Sequence, residues 1–222
     1  MKQIFLKSAA AALAVCALGL AAGISPASAG ILTYDFTIDN CTGGCGAANY
    51  GTVTLTDILG GGVTVNVSLL NGAGLIDTGA LSKHSLLFNL AGNPAITLTG
   101  LPSLWTYTGP TSITPGGGFG TFNYIVDCNA ACDASNPWTA PLNFSITTPS
   151  ITTASFLDGG TEVDAYFVAD ISNVAAGGST GRIGASYIGT PSTDVPEPVT
   201  LSVFAAGLAG AAALRRRKLR TA

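Results

Sequence analysis

Through the middle of the chain, apolar residues recur at every second position instead of every third or fourth. Tyr34, Phe36 and Ile38 share one face of an extended segment, Val63, Val65, Val67 and Leu69 another, and Leu86, Phe88 and Leu90 a third. The cleanest alternation runs through Val163, Ala165, Phe167, Ala169 and Ile171, with Glu162, Asp164, Tyr166 and Asp170 opposite. Period two marks a strand with one face in a core and the other in water. Further runs at residues 52–58, 95–99, 104–108, 121–127, 142–147, 151–157 and 183–188 bring the expected number to about ten or eleven strands. Gly60-Gly61-Gly62, Asn71-Gly72, Gly116-Gly117-Gly118, Asp158-Gly159-Gly160 and Gly177-Gly178 punctuate them as turns. No segment of this region has the period of an amphipathic helix. The expected fold is all-β, an antiparallel β-sandwich, jelly-roll-like, of about ten strands.

Both ends break this pattern. Residues 1–29 begin with Lys2 and Lys7, continue through the uncharged apolar run 9–22, and close on Ala27, Ser28 and Ala29 before Gly30. A basic start, a short apolar stretch and a small-residue Ala-x-Ala site predict a signal peptide cut by signal peptidase between Ala29 and Gly30. The run of 14 residues is too short for a spanning helix, which needs about 20. At the other end, the 16 residues 199–214 carry no ionisable side chain and are followed by Arg215, Arg216, Arg217, Lys218 and Arg220. A helix of that length reaches ~24 Å, a marginal span. The basic cluster should stay on the cytoplasmic side, which predicts an outside domain, a short transmembrane helix and an inside tail.

Immediately before that helix stand Val195, Pro196, Glu197 and Pro198. A Pro-Glu-Pro motif, a short apolar helix and an Arg-rich end, in that order behind a signal peptide, resemble a PEP-CTERM sorting signal. The resemblance covers residues 195–220 only. It implies recognition by an exosortase in a Gram-negative bacterium, transient anchoring in the inner membrane, processing near Pro196-Glu197-Pro198, and delivery to the cell surface or extracellular matrix. Three segments are therefore expected: 1–29 as signal peptide, 30–194 as exported domain and 195–222 as sorting signal.

Removing the ends changes the composition of what remains. Residues 30–194 hold 25 glycines, eleven acidic residues and two basic ones, Lys83 and Arg182, a net charge of −9. So acidic a surface disfavours phosphate backbones and anionic lipids, so no nucleic-acid partner is expected. Four cysteines remain, Cys41 and Cys45 in one loop and Cys128 and Cys132 in another. An even number in an exported chain reads as disulfides, and the spacing favours pairing within each loop, with cross-pairing and a four-thiolate zinc site as alternatives. The two loops have similar flanks, Asp39 before one and Asp127 before the other, which fits either a remote duplication or two strand ends that each need a staple.

The chemistry-bearing residues are few. His84 is the sole histidine and shares the parity of Leu86, Phe88 and Leu90, which predicts a satisfied, partly buried side chain; Ser82 and Ser85 are the nearby hydroxyls. No Gly-x-Ser-x-Gly, His-Glu-x-x-His or phosphate-binding Gly-Lys-Ser/Thr pattern occurs, so no catalytic residue and no enzyme activity are expected. Asp158, Glu162 and Asp164 beside a glycine turn form a weak Ca²⁺ candidate, without the spacing of a known calcium loop; otherwise no cofactor is expected. Glu162 and Asp164 also leave open a carboxylate-pair glycoside hydrolase. Trp105, Tyr107, Trp138 and Tyr166 are available for stacking on sugars. Thr52, Thr54 and Thr56 share a face as in ice-binding arrays, with no second array in the sequence. The expectation is a structural or binding protein of the surface or matrix, associated with extracellular polysaccharide, with a carbohydrate-active hydrolase and a Ca²⁺-dependent adhesion module as alternatives.

Overall fold

The computed structural model describes residues 30–77, 84–129, 132–159, 163–173 and 179–188. The signal peptide with Ala27 and Ala29, the sorting motif Val195 to Pro198, the basic cluster Arg215 to Arg220, Ser82, Lys83 and Glu162 lie outside them. All described residues belong to one unit, Ala29–Ser192. Within it the chain forms β1 (Ile31–Cys41), β2 (Gly51–Asp57), β3 (Val63–Leu69), β4 (Ala73–Leu75), β5 (Leu86–Leu90), β6 (Leu98–Thr99), β7 (Thr106–Thr108), β8 (Tyr124–Asp127), β9 (Leu142–Ile146), β10 (Phe156–Leu157), β11 (Phe167–Asn173) and β12 (Ser179–Tyr187). One 3-10 turn, Thr153–Ser155, precedes β10. The all-β, antiparallel expectation holds. Among the described residues no helix is long and apolar enough to cross a membrane.

The strands form one continuous ladder in the order β6-β9-β3-β2-β1-β12-β11-β5-β8-β7, with β4 added to β11 and β10 to β5. Its two ends, β6 and β7, are neighbours in sequence, separated only by residues 100–105. So short a link holds Thr99 and Thr106 within about 25 Å, and the sheet curls into a nearly closed barrel whose halves face each other. Two-layer packing is thus achieved by folding one sheet over, with Phe88 of β5 meeting Phe144 of β9 at a centroid distance of 6.4 Å. The Asn71-Gly72 turn helps the chain change halves. Both residues have positive φ, 57° and 74°, and the Ala73 N–H bonds the Leu70 carbonyl at 3.0 Å. That is hairpin chemistry, yet here it leads from β3 to β4, which pairs with β11 in the opposite half.

The inner face is the one the alternation predicts: Val63, Val65 and Val67 of β3 and Leu86, Phe88 and Leu90 of β5 are fully buried with Tyr34, Phe36, Val53, Leu55 and Phe167. Two expectations about faces are corrected. Ile38 does not share a face with Tyr34 and Phe36, because the β1–β12 register shifts between Phe36 and Ile38. Such a bulge turns the next side chain over, and Ile38 packs with Leu87, Phe119 and Ile125. The run from Val163 to Ile171 is not one strand with a wet face either. Val163 and Ala165 precede β11 and join this second cluster, whereas Phe167, Ala169 and Ile171 enter the main core. On the face expected to be wet, Val168, Asp170 and Ser172 are buried. Val168 owes its burial to residues 109–122, a segment without periodicity whose Ile113, Phe119 and Phe122 pack with it and with Leu87 of β5. Phe119 packs so tightly that a Cβ on Gly184 would lie 2.6 Å from its ring.

Among the described residues no segment covers the outer face of the other half. Register places Thr33, Thr54, Asn66 and Asn143 side by side across β1, β2, β3 and β9. A second row holds Asp35, Thr52 and Ser68, and a third Ile31, Thr56, Thr64, Ser145 and Thr99. Asp35 is the one ionisable side chain in these rows.

Candidate functional site

Each cysteine loop follows a carboxylate at a strand end, but only in the first does the carboxylate hold the loop itself. Cys41 ends β1 and bonds Cys45, with Cα atoms 5.5 Å apart. Asp39 accepts the Cys41 N–H at 2.9 Å, the Cys45 N–H at 3.0 Å and the Tyr50 hydroxyl at 2.5 Å. Desolvation pushes the Asp39 pKa upward, but the Tyr50 hydroxyl and the two N–H groups outweigh it and hold the carboxyl below its ordinary range. Cys128 bonds Cys132 with Cα atoms 5.8 Å apart. Here Asp127 accepts the Ser85 N–H at 2.9 Å and pairs with His84 Nδ1 at 2.9 Å. Pairing within each loop is the connectivity that the spacing favoured, and it suits an oxidising, extracellular compartment. It also commits all four sulfurs, so neither a four-thiolate zinc site nor the Asp39, Cys41, Cys45 cluster, whose ligand atoms lie within 4.8 Å, has a thiolate to offer.

The likeness of the two loops does not extend to their surroundings. Strands β1 and β2, which flank the first loop, pair with each other. Strands β8 and β9, which flank the second, sit in opposite halves of the ladder. Two strand ends that each need a staple account for this better than a duplication.

His84 is partly buried and satisfied by Asp127, with side-chain exposures of 20% and 13%. The Ser85 hydroxyl is turned away from it, donating to Cys128 Sγ at 3.2 Å and accepting the Cys128 N–H at 3.2 Å. Among the described residues no hydroxyl completes a nucleophile–base–acid arrangement with His84.

Of the acidic turn, Asp158 is partly buried and Asp164 exposed. Both flank Tyr166, whose phenol is pushed up first by burial and then by the charges of Asp158 and Asp164. The four aromatic residues picked out for stacking do not form one strip. Trp105 is buried and meets Trp138 edge-on at 5.6 Å. Tyr166 instead joins Tyr34 at 4.9 Å, and Tyr34 joins Tyr187 at 5.5 Å.

These three tyrosines line a cavity of about 280 Å³ together with Gly30, Ile31, Leu32, Thr153, Ala154 and Phe156. Burial, then the neighbouring phenols Tyr166 and Tyr187, raise the Tyr34 pKa far above its ordinary value. The cavity falls just below the roughly 300–1,000 Å³ usual for ligand pockets and is lined by phenol groups and ring faces. Sequence reasoning placed Tyr34 in the core and passed over Tyr187. The two meet because Tyr34 and Tyr187 are register partners in β1 and β12, a pairing between the two ends of the domain.

Comparison with known proteins returns no match: no family model, no curated protein and no solved structure corresponds to this chain.

Asp39 gives a direct test of how the first loop is held. Asp39→Asn is expected to lower the melting temperature at neutral pH. With a depressed pKa in the folded state, the carboxylate's stabilisation is complete above the unfolded-state value near ~3.9 and is lost as pH falls through the folded-state value. Melting curves of both proteins from neutral to strongly acidic pH should therefore converge. A gap that stays constant throughout would show that the charge of Asp39 does not hold the loop.

Proposed function

We propose that the chain is an exported surface or extracellular-matrix protein of a Gram-negative bacterium, sorted through a PEP-CTERM signal, with a non-catalytic structural or binding role on a two-layer, jelly-roll-like β-scaffold. One observation carries the reading: Val195-Pro196-Glu197-Pro198, the apolar segment 199–214 and the basic cluster Arg215 to Arg220 follow one another behind a chain that opens with a signal-peptide pattern. The two disulfides support it, since both suit an oxidising compartment. In this reading signal peptidase and exosortase act on the chain during export, and the mature domain functions among extracellular polysaccharides.

The test is the intact mass, before and after reduction, of the protein recovered from the surface or medium of its native host. The expected species starts at Gly30, ends near Val195 to Pro198 and gains four protons on reduction, two for each disulfide. Recovery of a chain that keeps Arg215 to Arg220 in the membrane fraction would make the tail a permanent anchor and remove exosortase from the account.

A further inference from the structure

The two outer faces of the folded sheet are treated in opposite ways. Residues 109–122 cover one with Phe119 and Phe122. The other, across β1, β2, β3 and β9, is left bare by the described residues. The three rows of this face contain threonine, serine and asparagine, with Ile31 and Asp35 only at the β1 margin and no basic residue. The domain around it is equally sparse in charge but acidic, with a net charge of −9. Some of the side chains bond one another: Thr64 with Ser145 at 3.3 Å, and the Asn66 amide donating to Asn143 at 2.5 Å. Thr33, Thr52, Thr54, Thr56 and Ser68, in contrast, make no side-chain hydrogen bond to any described residue. Their hydroxyls are open donors and acceptors, spaced about 4.8 Å between strands and about 6.7 Å along them.

We propose that this bare face binds a neutral, hydroxyl-rich polysaccharide chain. The inference rests on the reading of the protein as a matrix component and gives that reading its partner and its surface. Charge selects against the alternatives: a face without cations has no charge to pair with a phosphate or carboxylate polymer, and the acidic domain repels one. A row of hydroxyl and amide groups offers a sugar polymer many weak hydrogen bonds, each gained by displacing water, so affinity accumulates along the chain. Sheet twist, about 20–25° from strand to strand, decides between a flexible polymer and a rigid lattice. A polysaccharide can follow the twist, whereas a flat plane of ice would meet only part of the rows.

The experiment uses the full chain in a sugar-free detergent and follows its migration through native gels that contain dextran, galactomannan or hydroxyethylcellulose, with alginate as the anionic comparison. Retardation is expected in at least one neutral gel, unchanged by added salt, and absent in alginate. The variant combining Thr52→Val, Thr54→Val and Thr56→Val keeps the branched shape of each side chain and removes three hydroxyls. It should raise the dissociation constant about tenfold or more while leaving the melting temperature in place. The corresponding serine variant should still bind. Migration unaffected by every neutral polymer, or a valine variant retarded as strongly as the parent, overturns the proposal. So does arrest of ice growth by a protein that no polymer retards, which would give the face to frozen water. None of these outcomes depends on export or tail processing, so the binding face and the sorting route succeed or fail separately.

Discussion

Phe88→Ala is expected to remove about 3–5 kcal/mol of stability, the usual cost of emptying a large aromatic site in a core. The ring stacks on Tyr124 at 5.2 Å and touches Phe156, Phe167 and Phe144 at 5.7, 6.1 and 6.4 Å. Phe144 belongs to the opposite half of the sheet, so the side chain joins the two layers as well as filling one of them. In a domain of this size the loss corresponds to a drop of roughly 10 °C in melting temperature. Urea unfolding with the disulfides intact would measure it. A loss below about 1.5 kcal/mol, typical of a conservative core swap, would mean that the halves do not share one core.

Phe119→Ala is expected to cost a comparable amount, about 3 kcal/mol or more, with a different signature. Phe119 is fully buried, although it lies in the connection between β7 and β8 and outside every strand. It packs against Gly184 and, with Phe122, covers Leu87, Ile125 and Val168. Truncation should loosen residues 109–122 while the inner core keeps its packing. Limited proteolysis should then cut within that segment at low urea, before global unfolding. Protease resistance equal to the parent's would place the hold on the segment elsewhere, for example in the Asn40 amide that donates to the Gly117 carbonyl at 2.8 Å.

What could be read from the sequence was what depends on near neighbours. Valines at 63, 65 and 67 and the set Leu86, Phe88, Leu90 declared an inner face because alternation within one strand is a local property. Spacing alone brought Cys41 to Cys45 and Cys128 to Cys132. The errors came where a distant segment intervened. Asp170 looked solvated because the segment 109–122, whose Phe119 and Phe122 pack on Val168 of the same face, has no period to announce its role. Ile38 changed face at a bulge that leaves no mark in the alternation. The tyrosine cavity and the hydroxyl face required strand order. Tyr34 meets Tyr187 only because β1 pairs with β12, and the threonines of β2 become an array only when β3 and β9 add Asn66, Ser68 and Asn143 beside them.

The short link between β6 and β7 bears on how the protein behaves when crowded. An open sheet ends in two strands whose free N–H and C=O groups can recruit another chain, the first step toward fibres. Here the terminal strands of the ladder are two and three residues long, Leu98–Thr99 and Thr106–Thr108, and lie close together on either side of residues 100–105. Neither provides the six or seven consecutive residues that a cross-β stack needs. Edges this short leave little backbone for another copy to pair with, so cohesion among crowded copies would come chiefly from side chains on the faces of the sheet.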